Sequence, residues 1–226
     1  MNLSMEGKKY IDSVLEERCL SWLFPPLETG QATCKQLFAI NNKFFDCTEY
    51  LNSVPGHLLS YSISKQVKEQ SKLPLFPFEL HNEIINNRNG YTIPVLKRDD
   101  ITITLLRSPK RFVIDSNDKL YLKQKCLNNN QLNSQMYIPD EFFDEFTNQN
   151  SFLYHGVLLY GAVKYWEGIN FADIVFFDSD LKAYHHSINL LEKLHIHEST
   201  MTSEQKQKSI LSAQNIIKEF INQSEG

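Results

Sequence analysis

The segment His155-Gly-Val-Leu-Leu-Tyr-Gly leads through Trp166-Glu-Gly-Ile-Asn into Phe171-Ala-Asp-Ile-Val-Phe-Phe-Asp178. Two apolar runs rich in β-branched and aromatic residues, joined by a turn containing glycine, predict a β-hairpin and so commit the second half of the chain to a sheet. The register of such a hairpin is consequential, because a slip of one residue moves every side chain to the other face. With the turn centred between Trp166 and Glu167, His155 falls opposite Asp178, and Asp173 alternates onto the other face to oppose Tyr160. A histidine beside a carboxylate is held in one tautomer and orientation, which is the orienting half of a nucleophilic triad.

A thiol that could complete it lies far upstream, in Gly30-Gln-Ala-Thr-Cys34. Residues 8 to 23 carry Ile11, Val14, Leu15, Cys19, Leu20 and Leu23 at helical spacing, and Pro25-Pro26 is expected to end that helix. A loop from Leu27 to Thr33 then leads to a second apolar helical pattern through Leu37, Phe38, Ile40, Phe44 and Phe45. Thr33 is the expected N-cap, placing Cys34 in the first helical turn. There the helix N-terminus and an adjacent imidazolium would both favour a thiolate. The free first-turn N–H groups, with the Gln31 amide, are the candidate oxyanion donors.

Cysteine at a helix start, histidine opening a strand and a carboxylate ending the next strand form an order that resembles the papain-like cysteine peptidases, bacterial effector branch. The resemblance implies an α+β fold whose helical half carries the cysteine and whose antiparallel β half carries the histidine. It also implies Cys34 as nucleophile, His155 as base and Asp178 as orienting carboxylate. The activity implied is that of a cysteine hydrolase, a thiol protease or a glutamine deamidase, on a protein substrate, with no cofactor.

Elsewhere the patterns predict a helix near 58 to 70, a proline-broken stretch Leu73-Pro-Leu-Phe-Pro-Phe, a helix over Glu79 to Asn86 and a turn at Asn89-Gly90. Strands are expected at Tyr91 to Leu96, Ile101 to Leu106, Arg111 to Ile114 and Lys119 to Leu122, the last pair joined by a turn at Ser116-Asn117-Asp118. Asn128 to Ser134 reads as a polar loop, Pro139 to Phe146 as a helical turn, and Leu181 to Leu194 and Ser203 to Ile221 as helices. Neither an internal repeat nor a linker divides the chain, so residues 1–226 are expected to form a single domain.

A formal charge of −4 gives no basis for general nucleic-acid binding. The local exception is Lys97 to Lys125, where Lys97, Arg98, Arg107, Lys110, Arg111, Lys119, Lys123 and Lys125 outnumber Asp99, Asp100, Asp115 and Asp118. This reads as solvated strand and loop charge or, alternatively, a docking patch for an acidic partner. Cys19, Cys34, Cys47 and Cys126 show no zinc spacing and no disulfide framework, so reduced thiols are expected. His185-His186 and His195-Ile-His197 read as surface histidines without a third metal ligand. No apolar run reaches the length of a membrane span and no apolar leader follows the N-terminus. A cytoplasmic chain is expected, or one delivered to a host cell without a cleaved signal. The abundance of Asn, Lys and Ile suggests an AT-rich genome. The rival to the enzyme is a non-enzymatic protein-binding module, of effector or immunity type, using its aromatic-rich surface or the Lys97 to Lys125 patch.

Overall fold

The computed structural model describes residues 3–40, 54–86, 90–114, 119–133, 154–162 and 168–193. The chain divides into two units, Met1–Leu190 and Leu191–Gly226. The fold of the first unit is α+β. Helices α1 (Leu3–Val14), α2 (Glu17–Leu20), α3 (Phe24–Ile40) and α4 (Val54–Gln70) precede a hairpin of β1 (Glu79–Asn86) and β2 (Tyr91–Arg98). Strand β3 (Ile101–Arg107), helix α5 (Leu120–Lys125), a 3-10 segment (Cys126–Asn133), and strands β4 (Tyr154–Ala162), β5 (Ile169–Phe177) and β6 (Tyr184–Asn189) follow. No described helix is long and apolar enough to cross a membrane.

The six strands lie in chain order, β1-β2-β3-β4-β5-β6. Every neighbouring pair is antiparallel except β3 and β4, which run parallel. A parallel pair cannot be closed by a hairpin, so the chain leaves the sheet after β3 and returns across one face. That crossover contains α5 and the 3-10 segment. On the face they cover, Val157, Leu159, Phe171, Val175 and Phe177 pack with Leu122, Cys126, Ile114 and Leu181.

The opposite face carries Leu158, Tyr160, Ile174 and Phe176, all buried. Here Tyr160 Oη donates to Ser60 Oγ of α4 at 3.3 Å. Helix α3 packs on α4 where Gly30 meets Ile63, so closely that a Cβ at position 30 would lie 2.7 Å from Ile63 Cα. From α1, Asp12 reaches His186 of β6 at 2.8 Å. Helices α3 and α4 therefore lie on one face of the sheet and the crossover on the other, while α1 reaches His186 through Asp12 and packs Gly7 against Leu132 of the 3-10 segment.

Several local expectations give way to this layering. The helix expected over residues 8 to 23 is interrupted at Leu15-Glu16, where Glu16 is extended. Pro25-Pro26 opens α3 instead of ending its predecessor, because a first-turn residue needs no N–H for an intrahelical bond. Glu79–Asn86 is strand, not helix: hairpin pairing with β2, through a turn containing Gly90 at φ +65, outweighs the apolar spacing. Lys119 to Leu122, expected as strand, contributes to α5, which buries Leu122. Arg111 to Ile114 is not strand, since Phe112 has φ +60. Leu181 to Leu194 contains β6 where a helix was expected. The Ser116 to Asp118 turn, the Trp166–Glu167 turn centre, Pro139 to Phe146 and Ser203 to Ile221 lie outside the described residues, as do Cys47, His195 and His197.

The stretch expected to be a polar loop, Asn128 to Ser134, holds a fully buried amide, Asn129. Asn129 is 0% exposed. Its Nδ2 donates to the carbonyls of His155 (2.8 Å) and Phe177 (2.9 Å), and its Oδ1 accepts from His155 N at 3.0 Å. The β4–β5 pairing ends at Val157↔Val175. Asn129 thus satisfies main-chain groups of His155 and Phe177, two residues beyond that last pair. Asn129→Ala is expected to lower unfolding stability by about 3 kcal/mol, measured by urea denaturation, because it leaves several buried main-chain groups without partners.

Candidate functional site

The observed hairpin register differs by one residue from the expected one. Leu158 pairs with Ile174 and Leu159 with Asp173, which continues to His155 opposite Phe177. Asp178 falls past the end of β5. Its Oδ1 accepts from Lys182 N at 2.9 Å and its own N–H donates to Ala183 O at 2.9 Å, so it caps the β5–β6 turn. The carboxylate expected to orient His155 has a turn-forming role instead.

His155 is 1% exposed and uses both ring nitrogens within the protein. Nδ1 lies 2.7 Å from Thr102 Oγ1 and Nε2 lies 3.1 Å from Thr104 Oγ1, both on the neighbouring strand β3. Thr102 Oγ1 also donates to Tyr154 O at 3.3 Å. A consistent set of protons has Nδ1–H donating to Thr102 and the Thr104 hydroxyl donating to Nε2. Burial, with the Lys125 charge adding to it, pushes the imidazole pKa down to about 3. This ring is a neutral polar bridge between β3 and β4, with no nitrogen left to take a proton from a thiol.

Cys34 is not at a helix start. It lies well inside α3 and is 0% exposed. Thr33, the expected N-cap, returns its hydroxyl to Thr29 O at 2.8 Å, a mid-helix bond. Gln31 is 7% exposed in the same helix. Neither residue borders free first-turn N–H groups, so the expected oxyanion site is not formed there. Burial raises the Cys34 thiol to about 11, against a lowering influence of Arg107. Cys34 also belongs to the helical layer on the Tyr160 face, whereas the His155 ring lies between Thr102 and Thr104 on the crossover side. The sheet separates the two, and the Cys34, His155 and Asp178 constellation is not assembled.

The geometry instead gathers charge at Asp173, where Asp173 pairs with Leu159 rather than Tyr160. It is 1% exposed. Arg111 grips it with two bonds, Nε to Oδ2 at 2.7 Å and Nη2 to Oδ1 at 2.6 Å. Phe112 follows at φ +60, under the Arg111 guanidinium at 4.8 Å and stacked on Tyr184 at 5.0 Å. Ser108 Oγ lies 2.6 Å from Val113 O and accepts from Lys110 N at 3.3 Å. The loop from Ser108 to Val113 is therefore fastened at both ends and in its middle. Within the sequence, the available signal was a lone aspartate in the apolar run of β5, which requires a buried cationic or hydrogen-bonding partner.

The basic stretch from Lys97 to Lys125 is in part internal wiring. Arg111 pairs with Asp173, Lys125 with Glu83 at 2.5 Å, and Arg98 with Glu16 at 3.7 Å. His186 pairs with Asp12, and burial lowers the His185 pKa. Among the described residues no group of His, Cys, Asp and Glu is arranged to hold a metal. No family model, curated protein or solved structure matches this chain.

Two measurements follow from this wiring. Cys19, Cys34 and Cys126 are buried with raised thiol pKa values, Cys34 at about 11 and Cys126 at about 12. An electrophile at neutral pH is expected to modify these three only after unfolding, and His155→Ala is expected to give Cys34 no change in native labelling rate. Rapid native labelling of Cys34 that depends on His155 would restore the hydrolase. Because the folded His155 pKa lies near 3 and its ordinary value is 6.5, its contribution to stability is complete above about pH 6.5 and is lost as pH falls toward 3. The slope is at most about 1.4 kcal/mol per pH unit. His155→Gln should flatten the acid limb of a stability-against-pH curve.

Proposed function

We propose that this chain is a non-enzymatic protein-binding module that presents the Ser108 to Val113 loop. The observation that carries this reading is Phe112, a bulky residue held at φ +60 in a loop that the Arg111–Asp173 pair and the Tyr184 stack keep in place. Such a conformation costs about 1–3 kcal/mol and persists where surrounding interactions over-determine it, commonly at binding sites. The result is a preformed surface, which lowers the ordering cost of association. It leaves Val113 and Tyr184 each 48% exposed, while the exposed Lys110 supplies positive charge. An apolar centre with a cationic rim fits a protein surface with an apolar knob and acidic flanks.

The hydrolase reading needs a thiolate beside a titratable imidazole, and the packing of Cys34 and His155 gives it no support. Binding through the loop is tested by placing a photo-crosslinking amino acid at Val113 and, as an exposed control, at Arg18. A discrete adduct with one protein at Val113, absent at Arg18 and abolished when Tyr184→Asp is added, is the expected result. Equal yields from the two positions would overturn the assignment.

A further inference from the structure

Among the described residues, strand β1 ends the sheet and β2 is its one strand neighbour. The direction of its main-chain groups follows from the next hairpin. Arg98 and Ile101 close the two-residue turn Asp99-Asp100 and point their N–H and C=O groups at each other. Alternation then directs Leu96 and Pro94 toward β3, and Lys97, Val95 and Ile93 toward β1. Pro94, which has no N–H, agrees with this assignment, since the β2–β3 pairing stops one residue short of it, at Val95↔Thr104. Glu79, His81 and Glu83, opposite Lys97, Val95 and Ile93, therefore bond β2. Leu80, Asn82 and Ile84 direct their main-chain groups to the open edge.

An open edge of this length pairs readily with another strand unless it is blunted. On β1 the side chains Glu79, His81 and Glu83 share one face, while Leu80, Asn82 and Ile84 share the other. Ile84 is 61% exposed, and the side chains of His81 and Glu79 are 54% and 75% exposed. Two copies of the strand related by a two-fold axis normal to the sheet can pair in three registers with substantial overlap. Centring on His81 sets Glu79 against Glu83 at both ends of the overlap, and centring on Glu83 sets that carboxylate against itself. Like charges directly opposed destabilise a sheet. Centring on Asn82 sets His81 against Glu83 twice, Leu80 against Ile84 twice and Asn82 against itself, and opposes no two like charges. Registers centred farther along shorten the overlap or meet the irregularity between Ile84 and Asn86.

We propose that two copies of this chain associate edge to edge through antiparallel β1 strands centred on Asn82, continuing the sheet across a two-fold interface. Its polar face joins His81 to a Glu83 that already holds Lys125, and its apolar face covers Ile84 with Leu80. Such an interface is isologous and closes at two copies. It leaves the Ser108 to Val113 loop outside the contact and does not rest on that loop's role.

The test uses the full chain in light scattering coupled to size-exclusion chromatography, with wild type compared with Asn82→Pro. Proline at position 82 removes an outward N–H that β2 does not use, so the strand pairing inside each copy is retained, as circular dichroism would verify. Wild type is expected at twice the chain mass and Asn82→Pro at the chain mass. Register is read by oxidative cross-linking, expected between His81→Cys and Glu83→Cys copies mixed together and not within either variant alone. A wild-type monomer at tens of micromolar, a dimer that survives Asn82→Pro, or self-cross-linking of either cysteine variant would overturn the proposal.

Discussion

Asn129 supplies, at one end of β4 and β5, the hydrogen bonds that the two strands do not make with each other. The central pairing of the sheet is thereby anchored to the crossover packed beside it. This junction sets the register, and the register decides which face each side chain of the hairpin occupies. His155 is consequently directed toward Thr102 and Thr104, Asp173 toward Arg111, and Asp178 past the strand end into a turn. The α-helical layer on the other face packs toward Leu158, Tyr160 and Phe176, with the Tyr160 hydroxyl met by Ser60 and His186 met by Asp12.

His155 and Asp173, both buried on the crossover side, are accommodated in opposite ways. His155 gives up its charge: enclosed by two hydroxyls and opposed by Lys125, it remains neutral and links adjacent strands. Asp173 has a planar guanidinium matched to both carboxylate oxygens. Removing one member of such a buried pair costs more than the pair contributes net, because the survivor is left without compensation. The Ser108 to Val113 loop is therefore tied to the core by electrostatics, and its unusual Phe112 backbone is a consequence of where Arg111 must reach.

Some of this was legible in the residues alone. The β4–β5 hairpin, β2 and β3 show the β-branched and apolar runs that half-buried or buried strands require, and the Asn89-Gly90 signal coincides with a φ of +65 at Gly90. Helix α4 overlaps the segment expected near 58 to 70. Reading failed where one local pattern serves two structures. Leu80, Ile84 and Ile85 suit a helix face as well as a strand, Pro25-Pro26 can stop one helix or start another, and the residues around Tyr184 to Asn189 favour a strand only once β5 is there to pair with. Cys34, His155 and Asp178 are not brought together, because their juxtaposition rested on the hairpin register and on a helix boundary at Thr33.

Apolar periodicity by itself determined that this chain builds a mixed α+β core with a central hairpin, since burying those runs is required whatever the topology. The lone aspartate of β5 already demanded a partner. The identity of that partner, the face on which His155 lies and the separation of Cys34 from it were decided by tertiary structure. Each depends on contacts between segments far apart in sequence: Asn129 with His155, Arg111 with Asp173, and Gly30 with Ile63. A one-residue difference in strand register is nearly invisible in local composition, yet it reverses the orientation of every side chain, and the packing of the crossover against the sheet is what selects between the two.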